Sequence, residues 1–190
     1  GEITSEINKS LVPIGSKPAL ARIIESYPKE TPIIVTVGYR GDQVEQFLRL
    51  AFSDKDITIV KVPKFEGAGS SLALSMLCAR EFLNEPFIYH AGDSIPFLDN
   101  AVAPGKNLLF AANGQDSSLY STLLTSGTKV EKIQPKGAPH FDYVYCGVAH
   151  IHDYKSFWAE LEAALGTSPD YEEPNDISAF ILMMAKGSRF

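Results

Sequence analysis

Cysteine is scarce in this sequence. Among 190 residues only Cys78 and Cys146 occur, and they form neither a CxxC pair nor a zinc-like spacing. A disulfide framework is excluded on that count, and a reducing, cytoplasmic setting is expected. Positive charge is also short: 17 Lys and Arg stand against 23 Asp and Glu, a formal charge of −6. Nucleic acid is therefore not an expected partner, because its backbone phosphates call for a basic face. No apolar run approaches the roughly 20 residues of a membrane span, so no membrane partner or leader is expected. A P-loop, a GxGxxG fingerprint and a nucleophile elbow are missing too. What remains is ordinary globular material, 45% hydrophobic and 21% charged, enough for one domain with a sizeable core.

The apolar pattern alternates between strand and helix. Pro18 suits the first turn of a helix whose stripe is Leu20, Ile23 and Ile24. PIIVTV (32–37) is a continuous β-branched run, which reads as a buried parallel strand. GYRGD ends it, and Val44, Phe47, Leu48 and Ala51 mark a helix. ITIVKV (57–62) predicts a second strand, followed by PKFEGAGSS and a helix carrying Leu72, Leu74, Leu77 and Phe82. PFIYHA (86–91) predicts a third strand running into Gly92-Asp93-Ser94. Three strand–loop–helix alternations predict an α/β domain with a mostly parallel, mixed sheet and helices on both faces. NLLFAA, SSLYSTLL, KVEKI and YVYCGVAHI then follow as strands with few helices between them, which predicts a small antiparallel flap. Two helices, near 155–165 and 175–186, close the chain.

In open α/β sheets ligands bind beyond the carboxyl ends of the strands. Three loops there carry chemistry. Glu66-Gly67-Ala68-Gly69-Ser70-Ser71 lets backbone approach a ligand closely, or is simply a glycine turn with Ser70 as helix cap. Asp93, after a strand and a glycine, is placed to hold a hard cation through oxygen, or to cap the next helix. Lys136, in IQPKGAP, is a compact charge suited to phosphate, or a solvated turn lysine. Lys9 and Lys17, in NKSLVPIGSKPAL, pose the same choice. His150 and His152 share a strand face as metal ligands could, but no third ligand is apparent. The aromatics Phe141, Tyr143, Tyr145 and Trp158 read as packing.

NKSLVPIGSKPAL resembles the tail of the signature of the sugar-phosphate nucleotidyltransferases, GxGxR leading to PKxLxPIxxKP. VGYRGDQVEQFL, EGAGSSLAL, HAGD and KGAPHFDYVYCGV resemble further motifs of that family, in order and across nearly the whole chain. The resemblance implies a Rossmann-like nucleotidyltransferase (GT-A-like) fold over 1–190, with the GxGxR strand and the last strand expected outside these residues. It implies that Lys9 contacts nucleotide phosphates and that Gly67, Ala68 and Gly69 border the nucleotide. Asp93 is implied to bind Mg²⁺, Lys136 to hold the acceptor's phosphate and Gly147 to lie beside the acceptor, with Lys17-Pro18 starting a helix. The implied reaction joins an NTP and a phosphorylated small molecule, most often a sugar 1-phosphate, into an NDP-sugar with release of pyrophosphate. Precursors of surface polysaccharide or lipopolysaccharide are the expected products, and homo-oligomerisation is left open. Val62 and Pro63 stand where some relatives read the base with glutamine, and Pro135 where an acidic residue is common, so base and acceptor stay unnamed. Two rival readings are a non-catalytic nucleotide-sugar-binding domain and a glycosyltransferase, although HAGDSIPF supplies only one Asp for the latter's DxD.

Overall fold

A computed structural model describes residues 3–95, 105–114, 116–167 and 173–190. The chain divides into two compact units: residues 1–82 with 92–101, and residues 83–91 with 102–190.

The first unit opens with a short helix, α1 (Ile3–Glu6), and a 3₁₀ turn, Lys9–Leu11. The Asn8 side chain caps that turn by accepting from the Ser10 amide. A minimal antiparallel ladder, β1 (Pro13–Ile14) with β2 (Lys17–Pro18), leads into α2 (Ala19–Glu25). Pro18 serves as the N-cap of α2, one position earlier than its first turn. Lys17 Nζ binds both Glu25 carboxylate oxygens at 2.8 Å, a helix-side ion pair. Then come β3 (Ile33–Val37), α3 (Gly41–Ala51), β4 (Ile57–Lys61) and α4 (Leu72–Leu77), with a 3₁₀ turn at Arg80–Phe82. β3 and β4 pair in parallel, Ile33 opposite Ile57 through Val37 opposite Lys61. The helical period of α3 turns Val44 and Leu48 into a core with Leu11, Leu20, Ile24 and Val37. β3 is less buried than its β-branched run predicts, for only Val37 is fully enclosed.

The second unit contains β5 (Phe87–His90), β6 (Leu108–Ala112), β7 (Thr122–Ser126), β8 (Lys129–Gln134) and β9 (Tyr143–Ile151), then α5 (Tyr154–Thr167) and α6 (Asp176–Ala185). These five strands form one sheet, paired in the order β5-β9-β7-β8 with β6 also on β9, and every described ladder in it is antiparallel. The parallel pairing among the described residues is thus confined to β3 and β4. Alternation of strand and helix in a sequence signals crossovers, but the register of each later strand is settled by whichever neighbour it meets. SSLYSTLL also shortens: its first half is turn, and strand begins at Thr122.

An aromatic chain fills this second core. Phe87 stacks on Trp158 at 5.3 Å, Phe157 meets Phe180 at 5.6 Å, and Phe180 meets Phe190 at 5.2 Å. Trp158 Nε1 donates to the Leu83 carbonyl, so its one polar atom is satisfied. α6 is bounded on both sides. A capping box joins Asn175 and Ser178 at its start. At its end Gly187 (φ +96°) donates to Met184 O while Ser188 donates to Met183 O, the Schellman pattern that a glycine permits. Buried against this helix, Tyr145 Oη donates to Asp176 Oδ2 at 2.8 Å.

Candidate active site

Lys9 rides on the short 3₁₀ turn, and a clasp from the loop after β3 holds that turn. The Asn8 amide donates to Gln43 Oε1 at 3.0 Å, and Asn8 Nδ2 donates to the Tyr39 carbonyl at 2.6 Å. Tyr39 Oη and the Arg40 guanidinium both donate to the Ser5 carbonyl. Arg40 itself occupies the left-handed region at φ +47°, uncommon for a residue with a side chain. The GYRGD segment therefore acts as a brace for the amino-terminal turn, a role its sequence alone does not announce.

So held, the Lys9 ammonium reaches Asp93, 84 residues away in sequence, with Nζ 3.0 Å from Oδ2. The two side chains are 70% and 63% exposed. An ion pair this wet contributes at most about 1 kcal/mol, so either partner can leave it for an incoming charge at small cost. Asp93 follows β5, as a carboxylate at a strand's carboxyl end should. Ser94 and Ile95, where a helix capped by Asp93 would begin, are not helical, so the capping alternative fails there.

The glycine loop belongs to the same unit. Gly67 and Gly69 adopt φ +76° and +83°, which side chains resist. Ser71, not Ser70, caps α4 by accepting from the Leu74 amide. Ser70 instead spends both its amide and its hydroxyl on the Gly67 carbonyl, closing the loop on itself. The expectation of Ser70 as cap fails because that turn consumes its hydroxyl. The loops after β3 and β4 also touch. A Cβ on Gly38 would come within 2.5 Å of Phe65 Cβ, so only glycine allows that approach. Gly67, Ala68 and Gly69 make no hydrogen bond to Lys9 or Asp93.

Lys136 and Gly147 lie in the second unit. Lys136 sits exposed on the turn after β8, whose next residue, Gly137 (φ +82°), donates to the Ser117 carbonyl. Ser117 Oγ returns a bond to the Ala138 carbonyl, so the lysine turn is pinned on both sides. Gly147 marks a bulge: between the pairs Leu109–Ala149 and Ala111–Tyr145, Phe110 of β6 faces three residues of β9. Its φ of +72° requires glycine, and its carbonyl accepts from the Ala91 amide at 2.8 Å. Ala91 directly follows β5, so the bulge ties β9 to the end of that strand within the second unit.

One feature escaped sequence reading. The buried Tyr145–Asp176 pair gave no signal, since each residue reads as an ordinary member of its strand or helix. Burial pushes the Asp176 carboxyl up, against the opposing pull of Tyr145, and pushes the Tyr145 phenol well above its usual value. His150 is structural: its Nδ1 lies 2.6 Å from the Lys106 carbonyl and must donate there, and Asn107 knits the same corner to Asp153. Among the described residues no group of three or more His, Cys, Asp or Glu side chains could hold a metal by itself. Asp93 is a lone hard carboxylate, which suits Mg²⁺ of the kind bound by one or two carboxylates plus substrate phosphates and water.

No family model matches the chain, and no curated protein does. Solved structures do. A UDP-glucose pyrophosphorylase complexed with UDP-glucose superposes with a TM-score of 0.78 at 15% identity, covering 99% of this chain and 82% of that one. An inositol-1-phosphate CTP transferase from T. maritima gives 0.74 at 16% identity over 99% and 77% of the two chains. A nucleoside-diphosphate-sugar pyrophosphorylase from Vibrio cholerae gives 0.73 at 17% identity over 99% and 84%. The chain has the mixed α/β, Rossmann-like fold of the sugar nucleotidyltransferases.

Proposed function

We propose that the protein is a nucleotidyltransferase that joins an NTP to a phosphorylated acceptor, a sugar 1-phosphate by preference, and releases pyrophosphate. The observation that carries the reading is the Lys9–Asp93 contact. Distant segments bring a cation and a hard carboxylate together at 3.0 Å, in the unit that also holds the glycine loop.

In this reaction an acceptor phosphate oxygen attacks the α-phosphorus of the NTP. A new P–O bond forms while the bond to the bridging oxygen breaks, and pyrophosphate leaves with that electron pair. No protein nucleophile is required, so catalysis consists of positioning anions and offsetting their charge. Lys9, freed from Asp93, donates to the triphosphate. Gly67, Ala68 and Gly69 offer backbone to the nucleotide. Lys136, on its pinned turn, takes the acceptor's phosphate, and the Gly147 bulge supports the acceptor. Asp93 would hold Mg²⁺ brought by the NTP; such an ion supplies charge neutralisation to the phosphates. Synthesis of surface-polysaccharide or lipopolysaccharide precursors in the cytoplasm is the proposed context. Among the described residues no helix is long and apolar enough to cross a membrane.

The test incubates the protein with each NTP, Mg²⁺ and a panel of phosphorylated sugars and amino alcohols, and follows pyrophosphate. Release that needs both substrates supports the proposal. Nucleotide binding without release from any pair refutes it in favour of a binding domain.

A further inference from the structure

The first unit contains ten lysines and arginines between Lys9 and Arg80. Nearly all of them are engaged. Lys9, Lys17 and Lys29 pair with carboxylates; Arg49 and Lys61 share Glu45. Arg22, Arg40 and Lys55 donate to carbonyls. Lys64 differs: among the described residues of this unit it is the one basic side chain without a hydrogen-bond or ion-pair partner.

The Lys64 ammonium folds back over the glycine loop, and Nζ lies 2.8 Å from the point a Cβ on Gly69 would occupy. Gly69 therefore does two things at once. It permits a left-handed turn, and it leaves room for a cation against the backbone. An ammonium normally stays fully hydrated or finds a carboxylate. The acidic neighbour in this loop, Glu66, makes no bond to it. A donor-only group beside a loop with two left-handed glycines offers N–H donors to an acceptor oxygen.

We infer that Lys64 is a nucleotide-contacting residue of this loop, its ligand an acceptor oxygen of the NTP. That oxygen belongs either to a phosphate or to a base carbonyl. The inference rests on the proposed function, and it adds a residue that none of the motifs in the chain includes.

The experiment measures binding of the full chain to its preferred NTP and to the matching nucleoside, for wild type, Lys64→Ala and Lys64→Gln. Lys64 is exposed, so both variants should melt like wild type. Loss of a charge-assisted bond should weaken NTP binding about tenfold or more in Lys64→Ala. If the partner is phosphate, the nucleoside loses nothing and Gln fails to restore NTP binding. If it is a base carbonyl, nucleoside and NTP lose the same factor and Gln restores much of it. Either pattern supports the inference. Wild-type nucleotide binding that persists within about twofold in Lys64→Ala overturns it while leaving the proposed function standing. A wild-type chain that binds no nucleotide at all overturns both.

Discussion

Replacing Asp93 by Asn separates a functional role from a structural one. The substitution keeps the size of the side chain and removes its charge, and with it the ion pair to Lys9. Both groups are well over half exposed, so the pair contributes at most about 1 kcal/mol to folding. For a chain of this length that corresponds to a Tm change of no more than about 4 °C. The effect on turnover should be of another order. If Asp93 brings Mg²⁺ to the phosphates, its loss removes several kcal/mol of transition-state charge stabilisation. About 3 kcal/mol is already a hundredfold in rate. The assay pairs thermal melting with pyrophosphate release at saturating NTP and acceptor, over a range of Mg²⁺. The expected result is a nearly unchanged Tm, a rate down about 10²-fold or more, and partial recovery at high Mg²⁺. A rate within about fivefold of wild type would sink the metal assignment. A melt lowered by about 10 °C would show instead that the pair is structural.

Tyr145→Phe strips the buried Asp176 carboxyl of its phenol donor at 2.8 Å, and should destabilise the protein by about 1–3 kcal/mol in denaturant titration; a change below about 0.5 kcal/mol would contradict the burial argument. Asp176, raised by burial, keeps its proton in the folded state at pH values where the unfolded chain has released it. Stability from this group is therefore fully present below about pH 4 and is lost as pH rises through the folded value. Asp176→Asn should flatten that part of the stability–pH curve, and an unaltered slope would refute the assignment. Gly147→Ala places a methyl at φ +72° and should cost about 1–2 kcal/mol in denaturant titration; wild-type stability would mean the bulge relaxes freely. Asn8→Ala removes the cap of the Lys9 turn along with its bond to Tyr39, costing about 1 kcal/mol and raising KM for the NTP. An unchanged KM would show that the clasp does not orient Lys9.

Much of the fold was legible because local chemistry and tertiary demand agree. The β-branched runs became β3 and β4, YVYCGVAHI became β9 over the same residues, and Asn175 and Gly187 bound α6 as caps and glycines do. These signals are local, set by side-chain period and backbone freedom. The glycines at 67, 69 and 147 were marked in the sequence, but only coordinates reveal that each sits at positive φ, and that one of them makes a bulge.

The sequence by itself determined where most of the longer strands and helices fall, and which loops carry lysine, glycine and aspartate, because periodicity and φ preference act over a few residues. Tertiary structure alone decided that Lys9 meets Asp93, that Tyr145 closes on Asp176, that the GYRGD loop braces the amino-terminal turn and that Lys64 is left over a glycine loop. Those are pairings between residues 31 to 84 positions apart, or a cation left unpaired when its neighbours found partners. Nothing in a local pattern specifies them, since burial and charge pairing are settled only when the whole chain has packed.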